Sequence, residues 1–195
     1  MEQNLRDSIS RIVREIVVEA YGGLTCAATV KVLSEVLSKG WGIDLSPHIV
    51  SLKILTPKVI EILENSELSN EQKLKLIEQL PSGEKPKRLE SGDDGMKFHM
   101  VGLSGSENEF VLWDPSIDQV NIYFDSCRLE PLSLPMSTSK TDADGNIIFV
   151  HQGCQLIYKE QEILEKFVFK SDVWLTDYSH LFTKALELSL GNDSI

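Results

Sequence analysis

The N-terminal segment carries apolar residues at the spacing of an amphipathic helix. They recur every three or four positions, at Leu5, Ile9, Ile12, Ile16 and Ala20. This period predicts a helix from about Gln3 to Ala20, with one face turned towards a core. Gly22 and Gly23 follow directly and are expected to end it.

A second helix is predicted to begin at Thr25, which is a suitable N-cap residue. From there the apolar positions follow the i, i+4, i+7, i+11 spacing of a buried stripe: Cys26, Val30, Leu33 and Leu37. Gly40 and Gly42 are expected to close this helix. Cys26 would therefore lie in the first turn and on the buried side.

Two short helices are predicted next, and an ambiguous run precedes them. Ile49 to Leu55 is compatible with a short strand or with a helix, since so short an apolar run fits both periods. Thr56 and Pro57 are an N-cap and first-turn pair for a helix through Leu63. Ser69 with Gln72 forms a capping box that opens another helix, which Pro81 stops.

The period changes from helical to alternating after residues 81–95, whose proline, glycine and charge predict a surface loop. Four runs of β-type residues follow: Lys97 to Leu103, Glu109 to Trp113, Gln119 to Phe124 and Gln155 to Lys159. Turn residues separate them, so we predict an antiparallel meander.

The chain closes with an apolar stripe between Val173 and Leu186 that predicts a C-terminal helix ended by Gly191. Such a stripe covers either its own core or a partner's surface, and its own core is favoured. Helices followed by strands define an α+β class, and the length suits one domain, residues 1–195.

Charge and composition exclude several classes of function. The net charge is −11, and the one basic cluster is Lys85, Lys87 and Arg88, so nucleic acid is not expected as a partner. Charges interrupt the apolar pattern of the N-terminus, which therefore predicts neither a signal peptide nor a membrane span. We expect a cytoplasmic protein with no membrane partner, and the pattern indicates no particular oligomeric state.

The cysteines and acidic turns predict no metal or cofactor. Cys26, Cys127 and Cys154 lack zinc-ligand spacing, and three cysteines cannot all pair, which indicates free thiols in a reducing compartment. Cys127 and Cys154 are expected to be packing residues. Asp142 to Asn146 fails the EF-hand pattern, because its glycine comes too early and the closing glutamate is absent.

Three residues suggest catalysis when taken together. Cys26 at a helix start would lie near the positive end of the helix dipole, which favours a thiolate. His99 and Asp114 are 114 − 99 = 15 residues apart. A hairpin centred near Ser106 or Glu107 would bring them almost opposite each other, within hydrogen-bonding reach. Cys26 would be the nucleophile, His99 the general base and acid, and Asp114 the group that orients His99. The backbone N–H of Cys26 is a candidate oxyanion donor.

This order of residues resembles the transglutaminase-like branch of the papain-like cysteine enzymes. The resemblance runs from Tyr21 to Phe124 and rests on Gly22-Gly23-Leu24-Thr25-Cys26, His99 and Asp114-Pro115. Arylamine N-acetyltransferases are similar too. The resemblance implies a helix carrying the cysteine on an antiparallel sheet carrying His and Asp. It also implies a hydrolase or acyltransferase that forms a thioester with a peptide, amide or acyl substrate and needs no cofactor.

The sequence departs from these families at identifiable points. The Cys26 to His99 interval, 99 − 26 = 73 residues, is long, and Ala27 stands where an aromatic residue is common. No upstream glutamine or asparagine supplies a second oxyanion donor. Cys26 as a buried packing residue, in a binding or regulatory module that retains the fold without the chemistry, is therefore the alternative. His151 with Cys154 also joins an imidazole and a thiol, but a structural turn is the favoured interpretation there.

Overall fold

The computed structural model describes residues 1–22, 25–89, 98–106, 109–123, 128–162 and 168–191. Helices and strands share this chain in an α+β arrangement. The helices are α1 (Gln3–Tyr21), α2 (Cys26–Trp41), α3 (Pro57–Glu64), α4 (Asn70–Gln79), α5 (Asp172–Leu175) and α6 (Ser179–Gly191).

The sheet is antiparallel throughout the described residues. Its strands are β1 (Leu45–Leu55), β2 (Lys87–Leu89), β3 (His99–Ser106), β4 (Glu109–Asp114), β5 (Leu132–Pro135), β6 (Lys140–Thr141), β7 (Ile147–His151) and β8 (Cys154–Glu160). The order across the sheet is β5-β4-β3-β1-β8-β7-β6, and β2 pairs with β1. Two meanders therefore flank β1, which joins them.

Successive residues of the central strands serve two separate hydrophobic clusters, as the period of two requires. Ile49 and Met100 face α1, α2 and α6, where they meet apolar side chains such as Val13 and Leu33. Val50 and Val101 face the other side and contribute to a second cluster, which also holds residues of β4, β5, β7 and β8. The sheet therefore has one hydrophobic cluster on each of its two faces.

The helix ends follow their local sequence signals, with two exceptions in α2. Thr56 accepts a hydrogen bond from the N–H of Val59, and Ser69 with Gln72 forms the predicted capping box. Gly42 ends α2 in the left-handed conformation, whereas Gly40 lies inside the helix. Thr25 precedes α2 as predicted, but its side chain makes no capping bond there.

Three predictions about the strands and their order are wrong. Residues 117–123 form a 3-10 helix, Ile117–Tyr123, and not the predicted strand. Ile117 and Val120 are three residues apart and both are buried, which is the spacing of one 3-10 turn against the core and not of a strand. The prediction that helices precede the sheet is also wrong, because β1 is central and comes before α3. Part of the predicted 81–95 loop is β2, whereas residues 90–97 lie outside the described residues.

The C-terminal segment is two helices and not one. Thr176 ends α5 and Tyr178 precedes α6, so the apolar stripe is divided at this point. Tyr178, Leu181 and Ala185 are buried in the cluster that α1 and α2 also form. The segment therefore covers the protein's own core, as favoured above.

Candidate active site

Cys26 is the first residue of α2 and is partly buried. Backbone N–H groups in the first turn of a helix have no intrahelical partner, so this position favours an anion. The Cys26 side chain packs against the hydrophobic cluster that includes Ile49 and Met100, and its sulfur lies 4.0 Å from the carbonyl oxygen of Phe98. The nucleophile candidate thus lies where α2 meets the start of β3.

His99 begins β3 and is almost fully buried, with 1% of its surface exposed. The ring is hydrogen-bonded to Asp114 on one side, and it lies close enough to Cys26 for that side chain to raise the His99 pKa. Its Nε2 is 2.7 Å from Asp114 Oδ1, which leaves Nδ1 as the ring nitrogen for the sulfur. The structure therefore brings the three sequence-predicted residues together in the order thiol, imidazole, carboxylate.

The strand register differs from the one that the sequence predicts. Gly102 pairs with Trp113, so continuing the register places Asp114 opposite Val101 and not opposite His99. His99 and Asp114 are diagonal neighbours on the same face, and long side chains on such neighbours can still meet. The hydrogen bond forms across this diagonal. The residues at the hairpin turn, 107–108, lie outside the described residues.

Tyr158 is a buried polar residue of the site that sequence reasoning missed. Its hydroxyl donates to Asp114 Oδ2 at 2.9 Å, and both side chains are excluded from solvent. Tyr158 lies on β8, three strand-to-strand steps from β4 in the order β4-β3-β1-β8. Side chains stand roughly perpendicular to a sheet, so this contact requires a curled sheet in which β4 and β8 approach each other on one face. No sequence signal relates Tyr158 to Asp114, because the curl is a tertiary property.

Opposing effects act on the pKa of His99. Burial disfavours the charged ring and lowers the pKa, but the charge of Asp114, its hydrogen bond and the interactions with Cys26 all raise it. The net result is a pKa raised from 6.5 to about 10. His99 is therefore an imidazolium at neutral pH, with a carboxylate on one side and the Cys26 sulfur on the other.

A buried arginine braces the segments that carry Cys26 and Asp114. Arg14 of α1 donates from Nε to Asp118 Oδ1 at 2.8 Å and from Nη1 to Thr25 Oγ1 at 3.2 Å. Thr25 directly precedes Cys26, and Asp118 lies four residues after Asp114. Arg14 is 3% exposed, so its charge needs these partners. The brace fixes both segments to α1.

The second thiol and imidazole pair does not resemble a catalytic site. Cys154 is disulfide-bonded, which corrects the prediction of a free thiol. It is fully buried in the second hydrophobic cluster, as predicted for a packing residue. His151 lies across the β7–β8 hairpin from Cys154, and burial lowers its pKa. Cys26 is a free cysteine, whereas Cys127 lies outside the described residues.

Within the described part of the chain, no group of three or more His, Cys, Asp or Glu side chains is arranged to hold a metal ion. The predicted turn at Asp142 is held by local bonds, since Asp142 accepts from the N–H groups of Asp144 and Asn146.

In the part of the chain that the structure describes, no helix has both the length and the apolar character to cross a membrane.

Comparison with known proteins supports the fold and does not assign a family. No protein-family model matches the chain, and no curated protein matches its sequence. The fold is similar to that of a crystal structure described only as a genomics structure, with a TM-score of 0.52 and 8% sequence identity. The match covers 96% of this chain and 79% of the other. At such low identity the similarity concerns the α+β fold alone.

Proposed function

We propose that the protein is a cysteine-dependent hydrolase or acyltransferase that acts on an amide, ester or thioester. The supporting observation is the buried hydrogen bond, 2.7 Å long, between His99 Nε2 and Asp114 Oδ1, in a site where His99 also contacts Cys26. A carboxylate that fixes one ring nitrogen leaves the other aimed at the nucleophile.

The chemistry needs only the groups that this site holds. In the proposed reaction His99 takes the proton of Cys26 as general base, and the thiolate attacks the acyl carbonyl to form a C–S bond. The developing oxyanion would accept from the backbone N–H of Cys26. His99 then gives its proton to the leaving amine or alcohol as the C–N or C–O bond breaks, which leaves a thioester on Cys26. Neutral His99 then takes a proton from the water or acceptor amine that attacks the thioester. The C–S bond breaks, the acid or amide product leaves, and the thiolate of Cys26 is restored beside protonated His99.

A cysteine at a helix start, packed against an antiparallel sheet that carries His and Asp on neighbouring strands, resembles the papain-like and transglutaminase-like enzymes. We extend that resemblance to this chain as one catalytic domain, residues 1–195. The substrate would be a peptide, an amide or another acyl compound.

Alkylation of Cys26 tests the proposal without a known substrate. We expect iodoacetamide to modify Cys26 at neutral pH at least about tenfold faster than it modifies a small free thiol, because the proposed base His99 and the helix start would both favour the reactive thiolate. Peptide-resolved mass spectrometry measures the rate at each cysteine. In His99→Gln the alkylation of Cys26 should be no faster than that of the small thiol. In His151→Gln, which alters an imidazole outside the site, Cys26 should be alkylated as fast as in wild type. A wild-type rate no faster than that of the small thiol would contradict the proposal.

A further inference from the structure

We propose that Tyr158 is a positioning residue of this site, whose hydroxyl holds the Asp114 carboxylate in the orientation that directs Oδ1 at His99. This inference rests on the proposed function. It assigns to β8, which carries none of the three predicted residues, a part in the reactivity of Cys26.

The hydrogen bonds of Asp114 are divided between its two oxygens. Oδ1 is 2.7 Å from His99 Nε2, and Oδ2 accepts from the Tyr158 hydroxyl at 2.9 Å. Rotation about χ2 of an aspartate is broad, so one bond alone leaves the carboxylate plane loosely defined. Two bonds to partners from different strands fix the plane and the oxygen that faces His99.

Tyr158 can act only as the donor in this contact. Burial raises the pKa of its hydroxyl well above the ordinary value, and the charge of Asp114 and the hydrogen bond raise it further. The phenol is therefore protonated at neutral pH and can donate to Asp114.

The tyrosine ring is itself held in place by packing. It meets Phe149 edge to face, with centroids 6.1 Å apart, and its backbone pairs with Leu52 at the centre of the sheet. Phe149 and Leu52 are both buried. The hydroxyl therefore has a fixed position, and Asp114 adjusts to it.

A buried carboxylate also needs more than one partner. Desolvation of a carboxylate is costly unless hydrogen bonds satisfy its oxygens. Asp114 has no exposed surface, so water cannot replace a missing donor. Removal of the Tyr158 hydroxyl would leave Oδ2 without this bond and free the carboxylate to turn away from His99.

Tyr158→Phe tests the role, because it keeps the ring and removes one oxygen. The probe is p-nitrophenyl acetate, which transfers its acetyl group to Cys26 as p-nitrophenolate leaves. We expect acetylation of Cys26 to slow about tenfold, the cost of one buried hydrogen bond. Tyr178→Phe, at a buried tyrosine packed against α1, should retain the wild-type rate.

The titration of His99 supplies a readout that a purely structural role would not change. In protein with isotopically labelled histidine, NMR should show His99 losing its proton at a lower pH in Tyr158→Phe than in wild type. In an Asp114→Ala background, Tyr158→Phe should have no further effect on the acetylation rate, because the hydroxyl acts through the carboxylate.

The outcomes separate the two proposals. If wild-type Cys26 is acetylated faster than in His99→Gln but equally fast in Tyr158→Phe, with His99 titrating at the same pH, the role of Tyr158 is refuted and the proposed function stands. If wild type and His99→Gln react equally, both proposals are refuted.

Discussion

His99 and Asp114 are two residues out of register on neighbouring strands, yet His99 Nε2 and Asp114 Oδ1 are 2.7 Å apart. The pair is buried between Cys26 on one side and Tyr158 on the other. Because solvent does not reach the pair, its electrostatic coupling is strong, and several measurable properties depend on it.

Asp114→Asn should reverse the direction of the His99 pKa shift. The negative charge of Asp114 raises that pKa against burial, so its removal leaves burial as the larger effect. We expect the pKa of His99 to fall from about 10 in wild type to below 6.5 in the variant. NMR titration of the histidine side chains measures both values, with His99→Gln to assign the signal. A variant pKa that remains near the wild-type value would contradict this electrostatic interpretation.

Protein stability should depend on pH through the same residue. The folded-state pKa of His99, about 10, lies above the unfolded value of 6.5, so protonated His99 favours the folded state. This contribution is fully present below pH 6.5 and is lost as the pH rises through 10. Urea unfolding at pH 6, 8 and 10 should show a falling free energy of unfolding. In Asp114→Asn the part of this decrease that comes from His99 should disappear. If the free energy of unfolding fell with pH as steeply in the variant as in wild type, His99 would not be its source.

Asp118→Ala should destabilise the protein by about 2 kcal/mol, since the 3%-exposed Arg14 loses its ion pair with Asp118. We set the value below that for fully buried pairs because Asp118 itself is partly exposed. Glu71→Ala is the matched control, because Glu71 pairs with Lys75 on the surface and should contribute less than about 0.5 kcal/mol. Urea unfolding measures both, and equal effects would mean that Arg14 does not need Asp118.

Gly105→Ala should disturb the hairpin that carries His99 and Asp114. Gly105 has a φ of 126°, and a Cβ there would lie 2.1 Å from the carbonyl oxygen of Glu109. Gly145 has a φ of 77° but has open space around its Cβ position. Gly145→Ala should therefore cost about 1 kcal/mol, and Gly105→Ala should cost at least about 3 kcal/mol. Thermal unfolding compares them, and similar costs would contradict the close approach at Gly105.

The sequence predicts the local features of this fold well, because they depend on neighbouring residues. The bounds of α1 and the capping box at Ser69 follow from helical spacing and from side chains that bond their own helix. The central position of β1 does not follow in this way. Ile49 to Leu55 is too short an apolar run to define its period, and its partners in β3 and β8 are distant in sequence.

The residues of the candidate site also differ in whether local sequence signals predict them. Cys26, His99 and Asp114 could be proposed from a helix start and a hairpin, which are local signals. Tyr158 could not, since its contact with Asp114 depends on the curl of the sheet across three strand steps. The sequence predicts that His99 and Asp114 lie on the same face of the sheet. Their diagonal offset is not predicted, because it depends on a strand register that the turn sets.

The most direct measurement of the central claim is the formation of an acyl thioester on Cys26. Wild-type protein and His99→Gln are mixed with p-nitrophenyl acetate at neutral pH, and the acetylated residue is located by peptide mass spectrometry with hydroxylamine to cleave the thioester. We expect wild type to carry the acetyl group on Cys26 and to acquire it at least about a hundredfold faster than the variant, the range of general acid–base catalysis. Equal rates in the two proteins, or acetylation elsewhere with Cys26 unmodified, would contradict the catalytic role of Cys26 and favour a fold that has kept the residues without the chemistry.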